Sequence, residues 1–160
     1  MLKKYFRLLT MIFIIILGMT LGAGLLAGVV VAPTIFNSEA VLGSALLTRF
    51  QEGLLMTQVF ERLAYLVNFL VIIAILYEVI KFKAFENTRW TMMFTFLVAA
   101  TGLLFTSYYI PQILEMQTLG EAATMGETFT NVHKGSELNF KLFAFSTLGL
   151  LILTLRKVLR

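Results

Sequence analysis

From Leu8 to Ser38 the chain carries no charged residue; Arg7 and Glu39 bound the run. That is longer than a soluble core helix needs and long enough to cross a bilayer. Further apolar stretches follow, and together they predict four membrane-spanning helices at about residues 8–32, 56–79, 90–110 and 137–156. Pro33 is expected to break the first span near its outer end, and Pro111 to stop the third. The second gives way to the basic turn Lys81-Phe82-Lys83, and the fourth to Arg156, Lys157 and Arg160. The predicted fold class is all-α: an integral membrane four-helix antiparallel bundle, a single transmembrane domain over residues 1–160. MLKKYFR and the run behind it resemble a signal peptide, but the run exceeds a signal's apolar core and no clear processing site follows. The expectation is an uncleaved first span.

The first span is rich in small residues. Gly18 and Gly22 stand four apart, as do Gly24 and Gly28, with Ala23 and Ala27 among them. At this spacing small residues form a groove that lets a neighbouring backbone come close. At ~100° per residue the two pairs point roughly 120° apart. A helix small on two sides is expected inside the bundle, its grooves taking neighbouring helices or leaving room for a ligand.

The polar positions define the connections. Asn37 or Ser38 can cap a helix starting at Glu39, with Val41, Leu42, Ala45, Leu46 and Phe50 on one face. That predicts an amphipathic outer-side helix lying at the membrane surface or capping the bundle. Pro111 to about Thr130 reads as loop with one short helix.

Basic residues set the expected orientation. Lys3, Lys4, Arg7, Lys81, Lys83, Arg89, Arg156, Lys157 and Arg160 share one side, against Arg49, Arg62, Lys134 and Lys141 on the other. Both termini are therefore expected to be cytoplasmic.

The uncharged runs between Arg62 and Glu78 and between Lys141 and Arg156 are too short to span. At ~1.5 Å per residue they reach roughly 21–24 Å, against a hydrocarbon core about 30 Å thick. Both helices must start earlier, which carries Glu61 and Arg62, and Glu137, Asn139 and Lys141, to or into the outer leaflet. Charges there cost about 2.5–3.5 kcal/mol each unless they pair or meet water. The expectation is an outward-facing polar chamber in which Arg62 pairs with Glu137, or Glu61 with Lys141. His133, Glu137 and Lys141 recur at steps of four, on one helix face, with Ser136 beside them. The ligand-binding candidates are thus Glu61, Arg62, His133, Ser136, Glu137, Asn139 and Lys141, with Arg49 and Glu52 as secondary candidates nearer the surface. The plainer alternative is that His133 and Lys134 sit at head-group level while Lys141 snorkels outward.

Composition narrows the chemistry. The sequence is 59% hydrophobic and 14% charged, which suits a polytopic membrane protein and neither a soluble domain nor a disordered chain. The net charge of +4 is spread over helix ends, so no nucleic-acid partner is implied. Cysteine and aspartate are absent and His133 is the lone histidine, which removes disulfides, thiolate sites and most catalytic constellations. A bis-histidine haem within one chain is excluded. A histidine–methionine haem or a Cu(I) site remains open, with His133, Met56, Met116 and Met125 as the weak candidates.

GAGLLAGVVVAPTIF, LLTRFQEGLLMTQVF and VHKGSELNFKL carry a family likeness. Through Pro33-x-x-Phe36, Arg49-Phe50-Gln51-x-Gly53 and His133-x-x-Ser136-x-x-Asn139, nearly the whole chain resembles the small membrane family catalogued as domain of unknown function 4149, which includes transmembrane protein 205. The resemblance implies a four-helix membrane bundle, with no agreed activity, and a multi-pass protein of a bacterial inner (plasma) membrane. The chain is also distantly similar to copper-resistance membrane proteins and membrane protoporphyrinogen oxidases, which carry more histidine. Three readings follow: a protein binding a small ligand, ion or lipid headgroup in the outer chamber; a haem- or metal-associated redox protein; and a structural subunit of a homo-oligomer or larger membrane complex. Membrane lipids are partners in each, and enzyme activity is not the leading expectation.

Overall fold

The computed structural model describes residues 2–159, with side chains from Tyr5 onward. Lys3, Lys4 and Arg160, counted above in the charge asymmetry, have side chains outside the described residues. Four long apolar helices dominate: α1 (Tyr5–Phe36), α2 (Arg49–Lys83), α3 (Arg89–Thr118) and α4 (Glu127–Val158). Each has at least 30 residues, so each can cross a bilayer core about 30 Å thick. No strand occurs among the described residues. Helices α1 and α3 both pack against α2 and α4, which closes a four-helix ring. Successive helices run antiparallel. The proximal end carries the start of α1, the 84–88 turn and the end of α4; the distal end carries the 37–48 and 119–126 connections.

The core follows from the apolar faces turned inward: Phe13, Leu17, Val67, Leu70, Val98 and Leu150 are fully or almost fully buried. Large apolar side chains also cover the outside, among them Ile15, Met19, Ile72, Phe96 and Phe145. In water such a surface would drive association; in lipid it is the ordinary exterior of a spanning bundle. The chain is a multi-pass membrane protein.

Neither proline stops its helix. Helix α1 is π-helical over Leu26–Val31 and resumes as α-helix at Ala32–Phe36. Helix α3 is π-helical over Phe105–Tyr109 and resumes at Ile110–Thr118. Ala32 donates its N–H to the Ala27 carbonyl and Ile110 to that of Phe105, five residues back. Proline has no N–H and its ring crowds the preceding turn; the wider turn accommodates both. The expected stop at Pro111 is thus corrected, and residues 112–118, expected as loop, are helical.

The expected amphipathic outer helix is also corrected. Only Ser38–Leu42 is helical. Gly43, at φ 72°, closes it in the left-handed conformation that glycine tolerates. A capping box then opens α2: Thr48 Oγ1 accepts from the Gln51 N–H while the Thr48 N–H donates to Gln51 Oε1. Phe50 belongs to α2, so the face from Val41 to Phe50 never forms as one helix.

The glycine expectation changes too. A Cβ on Gly18, Gly22 or Gly28 would meet nothing within 4 Å, so these positions take no neighbouring backbone. The tight glycines lie elsewhere. A Cβ on Gly102 would lie 2.8 Å from Val71 Cγ2, and one on Gly149 would overlap the Phe94 ring. The closest approaches are made in α3 and α4, and along α1 Gly24 is the glycine that a neighbouring side chain reaches.

At the proximal end a buried polar cluster joins α2 to α3. Lys81 Nζ lies 2.8 Å from Glu78 Oε2 and donates to Thr91 Oγ1 at 2.8 Å. Thr91 and Thr95 donate to the same carboxylate. Next to it the Tyr77 hydroxyl meets Thr10 Oγ1 of α1 at 2.8 Å, and the Tyr77 ring stacks on Phe13. The side chain of Lys81 is 3% exposed, although its sequence position reads as an ordinary basic flank.

Candidate functional site

The distal half of the bundle holds a cavity of about 750 Å³. Its origin is the path of α1. Close packing of α1 on α4 belongs to Leu2–Leu25; past the π-helical turn, Ala32–Phe36 lean on α2 instead. The widened α1 supplies Gly24, Gly28 and Pro33 to the wall, and the widened α3 supplies Phe105 and Ile110. Glycine contributes volume here: Gly24 lets the Phe140 ring close in, a Cβ there lying 3.1 Å from Phe140 Cζ, and Gly28 faces open space.

Three phenylalanines form the apolar floor. Phe60, Phe105 and Phe140 come from α2, α3 and α4, and their ring centroids lie 4.9–5.7 Å apart. Edge-to-face and tilted contacts of this kind favour a fixed ring arrangement. The lining is chiefly apolar, with charges at the rim, which corrects the expectation of a polar chamber.

The rim on α4 carries His133, Glu137 and Lys141. Lys141 Nζ lies 2.6 Å from Glu137 Oε1, and both side chains are more than half exposed. The His133 ring stacks on Phe129. Ser136 also lines the cavity and donates to the His133 carbonyl. The rim on α2 carries Arg49, whose Nη1 donates to the Phe36 carbonyl and to Glu52 Oε2 while the guanidinium lies over the Phe36 ring. Glu52 is buried and accepts from Ser38 Oγ at 2.7 Å. Arg49 and Glu52 thus fasten the end of α1 to the start of α2.

The remaining candidates are placed elsewhere. Arg62 is exposed, on the same face as Tyr65 and Phe69, and makes no ion pair among the described residues. Glu61 accepts from Gln58 Nε2 of its own helix. Neither lines the cavity. The expected pairs Arg62–Glu137 and Glu61–Lys141 therefore do not form. The reason is local: Glu137 and Lys141 stand four apart on one helix and satisfy each other. Asn139 is buried and donates to the Thr101 carbonyl of α3, so it fastens helices. Of the metal candidates, His133, Met56 and Met125 line the cavity and Met116 does not. No group of three His, Cys, Asp or Glu side chains suited to a metal ion occurs among the described residues.

The phenylalanine floor was not among the sequence candidates, and neither was Gln117, a buried polar residue of the cavity wall. Gln117, in the last turn of α3, is 7% exposed. Its Nε2 donates to Thr57 Oγ1 at 2.9 Å, while its Oε1 is buried with no partner. With the helix expected to stop at Pro111, Gln117 read as loop. A glutamine inside a helix that continues past a proline, beside an apolar floor, is the signal that would have found it.

No curated protein and no solved structure matches the chain. A family model matches residues 4–122, which takes in the first three long helices and leaves the rim on α4 beyond it. On that match the chain belongs to the family described as Domain of unknown function (DUF4149).

Proposed function

We propose that this protein binds a small amphipathic molecule drawn from the membrane, its apolar part on the phenylalanine floor and its polar part at the charged rim. The observation that carries this is the cavity itself. Its volume of about 750 Å³ lies within the ~300–1,000 Å³ usual for small-molecule sites. A membrane-embedded cavity with an apolar floor and a charged rim is matched to a molecule with a tail and a head. The charge asymmetry of the connections supports cytoplasmic termini and a rim facing outward, and the family likeness supports a bacterial inner membrane as the setting.

Filling the cavity tests the reading. Gly28 lines it, and a side chain there enters open space. Native mass spectrometry from mild detergent should show the wild type carrying one lipid-sized adduct that Gly28→Phe loses, with thermal stability little changed. Equal adducts in both, or none in the wild type, would overturn the proposal.

A haem- or copper-associated role is the second reading, because His133, Met56 and Met125 reach the same cavity. With a lone histidine and no cysteine in the chain, a complete donor set would draw on thioethers or an external ligand. A Soret band or stoichiometric copper in the purified protein would favour it.

A further inference from the structure

Gln117 constrains what the cavity holds. The orientation of its amide follows from its neighbour. Thr57 Oγ1 donates its one proton to the Gly53 carbonyl at 2.9 Å, so toward Gln117 it can only accept. With that proton on Gly53, the amide faces Thr57 through Nε2, at 2.9 Å, which pairs a donor with an acceptor. Oε1 is thereby left as a buried acceptor without a donor, on a residue that lines the cavity. A buried acceptor without a partner is costly, and native proteins rarely leave one unsatisfied.

We infer that the occupant is a membrane phospholipid whose head group brings an N–H or O–H donor to Gln117 Oε1. This rests on the amphiphile-binding reading above and adds the class of head group. Depth supports a lipid. Gln117 stands one residue from the end of α3, where lipid heads lie. Phe105, on the floor, is twelve residues earlier in the same helix. That is ~18 Å along the axis, close to half of a hydrocarbon core about 30 Å thick. A head at Gln117 therefore lays an acyl chain down to the phenylalanines. The rim also suits a phosphate. Arg49 commits only Nη1, to Phe36 and Glu52, and Lys141 has N–H groups beyond the one given to Glu137. A choline head has no N–H or O–H, whereas ethanolamine and glycerol heads carry such donors.

The test is competition among phosphatidylethanolamine, phosphatidylglycerol and phosphatidylcholine with identical chains, offered in equal amounts to the delipidated protein and read by native mass spectrometry. The two donor-bearing lipids should each be retained about five- to ten-fold over phosphatidylcholine, the worth of one hydrogen bond. In Gln117→Leu the preference should fall to within about twofold, and Gln117→Glu, which keeps an acceptor, should restore it for phosphatidylethanolamine. Should Gln117→Leu fail to fold, the wild-type ratio alone decides. Equal retention of all three lipids, with Gly28→Phe abolishing each, would overturn the head-group assignment and leave the cavity reading standing. Retention that Gly28→Phe does not change would overturn both.

Discussion

A charge in a membrane helix is stabilised by the partner that its own helix or its neighbours can offer. Lys141 finds Glu137 one turn away, on an exposed rim. Lys81 finds Glu78 one turn away, but the pair is turned inward and wrapped by Thr91 and Thr95 of α3. The two pairs look alike in sequence and differ in worth. Exposed pairs contribute about 0–1 kcal/mol, whereas leaving one member of a buried pair alone costs about 3–5 kcal/mol. Lys81→Met alone should therefore lower stability by several kcal/mol (about 3–5), and Lys81→Met with Glu78→Leu by less. Arg62→Leu, at an exposed position, should stay within about 0.5 kcal/mol of wild type. Thermal unfolding of the four proteins in one detergent decides this. A loss for Arg62→Leu as large as for Lys81→Met would mean that the partner of Arg62 lies in a second molecule or in lipid.

At the scale of the helix, small residues and prolines divide the labour. Gly149 and Gly102 let α4 and α3 approach their neighbours, while Gly18 and Gly22 stand open on α1. Gly149→Leu must displace the Phe94 ring and should cost at least about 1–3 kcal/mol by overpacking. Gly22→Leu should be close to neutral in the monomer, or stabilising through helix propensity, glycine being about 1 kcal/mol less favourable than alanine in a helix. Folded yield and melting temperature of the two variants give the comparison. A severe loss for Gly22→Leu with Gly149→Leu unharmed would reverse the assignment of buried and open faces. The prolines act on the cavity. Each follows a π-helical turn, and both widened turns reach the distal half, where the ring of helices opens.

At the scale of the whole molecule, direction in the membrane is the property that labelling tests. Antiparallel helices place both termini and the 84–88 turn at one end, and the basic residues crowd that end. The sequence has no cysteine, so single introduced cysteines report without background. Ser44→Cys and Ala123→Cys should react with a membrane-impermeant maleimide added to intact cells. Ala84→Cys should react only after permeabilisation. Labelling of Ala84→Cys in intact cells would invert the molecule and turn the cavity rim toward the cytoplasm.

Apolar run length alone determined the membrane setting, the four helices and the all-α class, because a bilayer demands about twenty apolar residues per span whatever the packing. Run length also required α2 and α4 to begin earlier than their uncharged stretches, and they begin at Arg49 and Glu127. The steps of four at His133, Glu137 and Lys141 placed those side chains on one face, and they line the cavity together. What sequence spacing does not contain is rotation about the helix axis and the fate of a helix at proline. Rotation turned Arg62 outward, Lys81 inward and Asn139 onto α3; it is settled by the summed packing of every face against its neighbours, not by any single residue. The prolines were absorbed because a π-helical turn makes room for a missing N–H at less cost than ending an apolar helix in the membrane. That tertiary choice extended α3 to Gln117, opened α1 away from α4, and so made the cavity.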